Sequence, residues 1–269
     1  MRALVCFAFA LTLWAAPLRA SEHVDRLTTA LHIEEVMEIL SAEGLEQGRQ
    51  LDKSLLEGQG GSYFLKQVEG LYDPSWMTDQ VKRAFAEAMT DTQMEQAAIF
   101  FESDLGQTII SLENSARRAF SDEAVEEVAR AAYQQADKGA AEYRLIEEYI
   151  EVNDLIEQNA QNSLSSDYYF FRGVAAGQGN PVDENTLLAE LLAQQDDTKA
   201  ETRDWVFSFL LLAYKPLTQA QLRENIAFSR TDAGKALNLA IFEGFDEMYD
   251  TISYKLGQAV AQALRASDL

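Results

Sequence analysis

Cysteine and histidine are almost missing from this chain of 269 residues, which contains one cysteine and two histidines. Cys6 lies in a segment predicted to be removed, so the remaining chain is expected to have no disulfide and no cysteine-ligated metal. Histidine is the usual general base at neutral pH, and His23 and His32 are interpreted as ordinary exposed residues. Thiol chemistry and histidine-dependent catalysis are therefore disfavoured.

Sequence motifs for catalysis and for cofactors are also missing. The chain has no Gly-x-Ser-x-Gly, no His-Glu-x-x-His, no phosphate loop and no calcium loop. Acidic residues one helical turn apart, such as residues 147–151 and 246–250, are interpreted as solvated helix faces, with cation chelation as the alternative. We predict no catalytic residue, no cofactor and no metal, and thus no enzyme; acid–base catalysis by Asp or Glu stays open as the weakest alternative.

Basic residues are few, with 22 Lys and Arg against 44 Asp and Glu. Residues 1–20 are predicted to be removed, and they include Arg2 and Arg19. The remaining chain would then have 20 basic and 44 acidic side chains, a net charge of −24. Nucleic-acid binding needs a basic surface, so it is counter-indicated, and so is adsorption to anionic lipid.

Long apolar runs are missing after the first twenty residues. Those twenty have a charged start, an apolar middle and Ala20 at the end, which is typical of a secretory signal peptide cut after Ala20. The alternative, a membrane anchor, would need about 20 apolar residues. We predict export to the periplasm and no transmembrane segment after the signal is removed.

Helix-forming residues dominate what remains. Prolines number four, no strand-like alternation persists, and apolar residues recur at helical spacing. One stripe runs from Ile33 to Leu40, and another runs from Leu237 to Leu256 in a helix predicted over residues 232–264. We predict an all-α protein.

An internal repeat is the most informative feature of the sequence. Residues 90–106, TDTQMEQAAIFFESDLG, return 128 positions later as residues 218–234, TQAQLRENIAFSRTDAG. Each copy starts with Thr-x-x-Gln, the form of a capping box at a helix start. The repeat predicts a tandem duplication, with two helical-hairpin units packed into one multi-helix body.

A second cap is predicted inside each copy. Ser103 and Thr231 would end one short helix and start the next, and Gly106 and Gly234 would let a crossing helix approach closely. One continuous helix with glycine as a contact notch is the alternative.

The predicted units are residues 21–138 and 139–269, following a signal peptide at residues 1–20. Residues 33–39 resemble residues 146–152 at the shorter offset of 113, so the second unit must hold an insertion, placed near residues 173–201. Residues 121–135 and 140–161 both look helical, so the joint at Lys138-Gly139 is expected to be a kink.

The repeated motif resembles a known family. Phe100-x-x-Ser103-x-x-Gly106, after Thr-x-x-Gln and inside an acidic helical chain with a signal peptide, resembles the bacterial exported DUF2059 family, whose function is unknown. The second copy, Phe228 to Gly234, resembles it again. The resemblance implies a helical-hairpin core and residence in the periplasm, and it implies no activity, cofactor or catalytic residue. Two copies in one chain depart from the single-copy form of the family.

Aromatic residues supply the candidate ligand or partner surface. Most of them are interpreted as core, and the remainder as the lining of a groove for a ligand or partner. The candidate residues are Trp76, Phe100, Phe101, Trp205 and Phe228, beside the motif glycines Gly106 and Gly234. The predicted function is that of a non-enzymatic interaction or scaffold protein of the envelope. The alternative is a periplasmic carrier or sensor that holds an apolar ligand or peptide between the two units near Trp76 and Trp205.

Overall fold

Helices account for all of the regular secondary structure in the part of the chain that the structure describes. The structure is a computed structural model, and it describes residues 16–179 and 181–267. Within these ranges there are thirteen helices and no strand. The helices are α1 (Ala16–Ala30), α2 (Ile33–Leu55), α3 (Gly61–Leu71), α4 (Pro74–Ala88), α5 (Asp91–Phe101), α6 (Asp104–Phe120), α7 (Glu123–Gln134), α8 (Ala141–Val152), α9 (Leu155–Gln178), α10 (Glu184–Ala193), α11 (Gln195–Ala213), α12 (Gln219–Ser229) and α13 (Asp232–Ser267). The all-α prediction is confirmed.

Both predicted capping boxes are present, at the starts of α5 and α12. The Thr90 hydroxyl accepts from the Gln93 amide at 3.3 Å, and the Thr90 amide donates to the Gln93 side chain at 2.9 Å. Thr218 and Gln221 make the same two bonds at the same distances. Each box satisfies amides that the first helical turn leaves unpaired.

The second caps are also present, so the alternative of one continuous helix is excluded. The Ser103 hydroxyl accepts from the Gly106 amide at 3.1 Å at the start of α6. The Thr231 hydroxyl accepts from the Gly234 amide at 3.0 Å at the start of α13. The two repeat segments therefore have the same secondary structure and the same capping bonds.

The predicted reason for the two motif glycines is wrong. A Cβ on Gly106 would lie 2.4 Å from the carbonyl oxygen of Phe100, and one on Gly234 would lie 2.2 Å from that of Phe228. Both neighbours belong to the end of the preceding helix rather than to a crossing helix. The glycines therefore permit the sharp bend between two successive helices.

The helix predicted over residues 140–161 is divided. α8 ends at Val152 and α9 starts at Leu155, because Asp154 has a φ of 51° and lies in the left-handed region. The helix predicted over residues 121–135 forms as α7, and the predicted boundary at Lys138-Gly139 falls in the short segment between α7 and α8.

Two hydrophobic cores form, and neither follows the predicted halves of the chain. One core combines α1 to α5 with α13, where Met248 and Ile252 are fully buried. The other combines α6 with α8, α11 and α12 and includes Tyr133 of α7. The last helix of the chain thus completes the core of the first five, and α6 packs with helices of the second half.

α9 and α13 make the most extensive helix–helix contact among the described residues. Two glycines allow it, since a Cβ on Gly173 would lie 2.0 Å from the Tyr254 carbonyl oxygen and one on Gly257 would lie 2.1 Å from the Phe170 carbonyl oxygen. α10, which lies in the predicted insertion, packs weakly on α9 and α11. No described helix is long and apolar enough to cross a membrane.

Candidate functional site

A cavity of about 500 Å³ lies where helices of the two halves meet. Its lining comes from α2 and α6 and from α8, α9, α11 and α13. Its walls are mainly apolar and aromatic: Leu40, Leu155, Trp205, Phe209, Ile241, Phe242, Phe245. Two other cavities of similar volume are lined largely by charged side chains, so of these three the first is the best suited to an apolar molecule.

Helical spacing explains why these side chains share the cavity. Ile241, Phe245 and Tyr249 lie four residues apart on α13, and Trp205 and Phe209 have the same spacing on α11. Residues four apart lie on one helix face, so each helix presents a continuous surface to the cavity. The Trp205 and Phe209 rings stack at 5.1 Å between centroids.

α6 places two polar side chains, Glu113 and Arg117, one turn apart in the same wall. Arg117 is neutralised by Glu43 of α2, with 3.0 Å from Nε to Oε1 and 2.8 Å from Nη2 to Oε2. Its guanidinium also lies 5.8 Å from the centre of the Trp205 ring. The positive charge in this wall therefore already has both a counterion and an aromatic neighbour.

Glu113 has no such counterion, and it makes no salt bridge with any residue that the structure describes. The Tyr214 hydroxyl donates to Glu113 Oε1, and the Asn225 amide donates to the Tyr214 hydroxyl at 3.5 Å. Burial raises the pKa of the Glu113 carboxyl, partly offset by the Tyr214 hydrogen bond. The side chain is open to the cavity, while the protein surrounds it on its other sides.

A smaller cavity of about 120 Å³ is also lined by Glu113, and several other polar residues line it. The Asn153 amide donates to Ser229 Oγ at 3.2 Å, and the Ser229 hydroxyl donates to the Asn225 carbonyl at 3.2 Å. Burial raises the pKa of Tyr149, which lines both cavities, and the nearby Glu113 charge raises it further. Polar groups of α6, α8 and α12, with Asn153, thus line the smaller cavity, and two of them, Glu113 and Tyr149, also line the main one.

The predicted aromatic residues fall into three places. Phe100 and Phe228 stack at 4.1 Å with their rings 3° from parallel, and Phe101 contacts both edge-on. Trp205 lines the cavity. Trp76 lies outside it, against the core of α1 to α5 and α13, with Lys255 over its ring at 5.8 Å. The structure therefore brings the repeated phenylalanines together and leaves the two tryptophans apart.

The acids of α13 differ from the predicted solvated face. Asp250 is only partly exposed, Ser165 of α9 donates to its Oδ1 at 2.8 Å, and burial raises its pKa to about 6. Burial likewise raises the pKa of Asp246. Among the described residues, no group of three or more His, Cys, Asp or Glu is placed to hold a metal ion.

Sequence reasoning missed Glu113, Arg117, Tyr149 and Tyr214. One signal was present: Glu113 follows Leu105 and Ile109 at four-residue spacing, on the stripe that α6 buries. An acidic residue on an apolar helical stripe is unusual, because burying a charge is costly. Which helix would face that stripe is a matter of tertiary packing.

Part of the chain matches a known protein family. The family described as "Uncharacterized protein conserved in bacteria (DUF2059)" matches residues 75–135. The match runs from α4 to the end of α7, so it includes the first repeated motif, Glu113 and Arg117, while residues 218–234 lie outside it. The chain matches no curated protein and no solved structure.

Proposed function

We propose that this protein binds a small molecule with an apolar body in the cavity between α2, α6, α8, α9, α11 and α13, and that it acts as a carrier or sensor rather than as an enzyme. The observation that carries the proposal is the cavity itself, whose volume of about 500 Å³ falls within the usual range for ligand sites. Its apolar walls and small set of converging polar groups are the usual composition of such sites.

The placement of the cavity supports a carrier or sensor. Its walls come from both halves of the chain, so a bound molecule would contact α6 and α13 at once. Filling it would stabilise the packing of one half on the other, because a ligand that binds only the native state raises stability by an amount that grows with the ratio of free ligand concentration to Kd. Occupancy would thereby be linked to the stability of the whole helical body.

The test uses the fluorescent hydrophobic probe N-phenyl-1-naphthylamine. We expect saturable binding to the wild-type protein. Ser163 is exposed and lines the cavity from α9, so Ser163→Phe should obstruct it and weaken probe binding about tenfold. Gln161→Phe, at an exposed α9 position that does not line the cavity, is the matched control and should bind as the wild type does. Absence of saturable binding, or equal binding by the two variants, would overturn the proposal.

An interaction or scaffold role in the envelope is the second proposal. α10 exposes Leu188 and Leu192, one turn apart, with 44% and 62% of their surface accessible. Exposed apolar side chains on a weakly packed helix suit contact with another envelope protein.

Native mass spectrometry of protein purified from its own cell envelope tests both proposals. A retained small molecule supports the carrier. A retained protein partner that is lost from the Leu192→Lys variant supports the scaffold.

Export to the periplasm is proposed on the sequence of residues 1–20. Residues 1–15 lie outside the described residues, and α1 starts at Ala16. Terminal sequencing of fractionated cells is expected to find Ser21 as the first residue of a periplasmic protein; a cytoplasmic protein that retains Met1 would contradict export.

Tandem duplication is likewise proposed, and the matching caps at Thr90 and Thr218 and at Ser103 and Thr231 support it. Superposition of α5 and α6 on α12 and the start of α13 in an experimental structure would test it. A different crossing angle between the two helices of each pair would count against it.

A further inference from the structure

The charges in the cavity wall are unbalanced. Arg117 forms a bidentate ion pair with Glu43, so these two charges neutralise each other. Glu113 accepts a hydrogen bond from the neutral Tyr214 hydroxyl and has no cationic partner among the described residues. The one group in this wall that lacks a counterion is therefore a carboxyl.

Aromatic rings surround the same space. Trp205, Phe209, Phe242, Phe245 and Tyr249 line the cavity, and Tyr149 lines it next to Glu113. The face of an aromatic ring carries negative electrostatic potential and attracts cations, most strongly where water is excluded. A carboxyl among aromatic rings is a combination that recognises an ammonium group.

We propose that the ligand of this cavity is an organic cation: a primary or secondary ammonium group on an apolar body, with the ammonium against Glu113 and the apolar body against the aromatic walls. This inference rests on the proposed binding function and adds the chemical class of the ligand. The chain as a whole supports it, since 44 acidic residues outnumber 22 basic ones and attract cations to the surface.

The other two classes of amphipathic ligand fit less well. A carboxylate would have to displace Glu43 from Arg117 and would then face Glu113, a like charge. A neutral alcohol could hydrogen-bond to Glu113 but would supply no charge to stabilise its carboxylate. Of the three classes, only an ammonium group supplies a positive charge that stabilises the Glu113 carboxylate.

Binding is then coupled to protonation of Glu113. The titratable and charged groups around it are Arg117, Glu43, Tyr149, Tyr214 and Tyr249. Burial raises the pKa of all three tyrosines, which keeps them neutral near pH 7, and Arg117 and Glu43 neutralise each other. An ammonium ion favours the Glu113 carboxylate, so its binding releases a proton where the free protein holds one there.

The experiment displaces bound N-phenyl-1-naphthylamine with octylamine, 1-octanol and octanoate, three compounds with the same chain and different charge. We expect octylamine to displace the probe at a concentration about tenfold lower than the other two. Glu113→Gln, which keeps the shape and removes the charge, should abolish this preference. Glu127→Gln, at an exposed position on α7, is the matched control and should retain it.

A second measurement does not depend on a variant. Calorimetric titration of the wild-type protein with octylamine in two buffers of different ionisation enthalpy should show proton release, and octylamine affinity should rise with pH more steeply than octanol affinity.

Equal displacement by the three compounds, stronger displacement by octanoate, or a preference that Glu113→Gln retains would overturn the cation proposal. If the probe binds and Ser163→Phe weakens its binding, but octylamine is not preferred, the cation proposal alone is overturned. If the probe does not bind at all, the proposed function is overturned as well.

Discussion

Replacing Gly257 by alanine tests the packing of α9 on α13 most directly. The new Cβ would lie 2.1 Å from the Phe170 carbonyl oxygen and 2.8 Å from the Val174 amide nitrogen. A carbon and a carbonyl oxygen ordinarily meet at about 3.3 Å, so the contact is about 1.2 Å too short. Both neighbours are backbone atoms, so the two helices must separate.

The size of the effect follows from two opposing contributions. Alanine favours a helix over glycine by about 1 kcal/mol. Overpacking a close contact costs about 1–3 kcal/mol, and more where only backbone can move. We expect Gly257→Ala to lower the free energy of unfolding by about 2 kcal/mol, which lowers the melting temperature of a chain of this size by about 4–8 °C.

Gly70→Ala is the matched control. Gly70 lies in α3, and a Cβ there would meet no atom within 4 Å. Only the helix propensity then acts, so this variant should be up to about 1 kcal/mol more stable than the wild type. Urea and thermal unfolding followed by circular dichroism measures both variants. If Gly257→Ala proved as stable as Gly70→Ala, the close backbone approach of α9 to α13 would be wrong.

Three further predictions concern the motif glycines, the acids of α13 and metals. Gly106→Leu and Gly234→Leu should each destabilise the fold by at least about 1–3 kcal/mol, since the new Cβ meets the backbone of the preceding helix; unchanged melting of both would contradict this. Burial raises the pKa of Asp250 from 3.8 to about 6, so the native state holds a proton that the unfolded state releases, and stability should fall as pH rises from about 4 to 6. Asp250→Asn should therefore add roughly 1 kcal/mol at pH 7, a value discounted for the partial exposure of Asp250, and should flatten that slope in urea unfolding at about pH 4 and pH 7. Added Mg²⁺ or Ca²⁺ should leave the melting temperature unchanged; a stoichiometric metal that survives dialysis and raises it would refute this.

The sequence by itself determined the helical class and the local boundaries of the repeated segments. Capping boxes at Thr90 and Thr218 and caps at Ser103 and Thr231 depend on residues within three positions of one another, so they can be recognised without knowing the fold. The long α13 follows in the same way from apolar residues at helical spacing. The break at Asp154 was missed, since a left-handed residue there has no strong local signal other than its type.

Tertiary structure alone decided the site. That α13 packs with the first five helices depends on contacts between residues more than a hundred positions apart, and that α6 packs with α8, α11 and α12 also depends on residues distant in the chain. This packing of helices from both halves forms the cavity, and it makes Glu113, one acid among 44, a partly buried carboxyl without a counterion among the described residues. A helical stripe shows which side of a helix is buried, but only the packing of helices shows what that side meets.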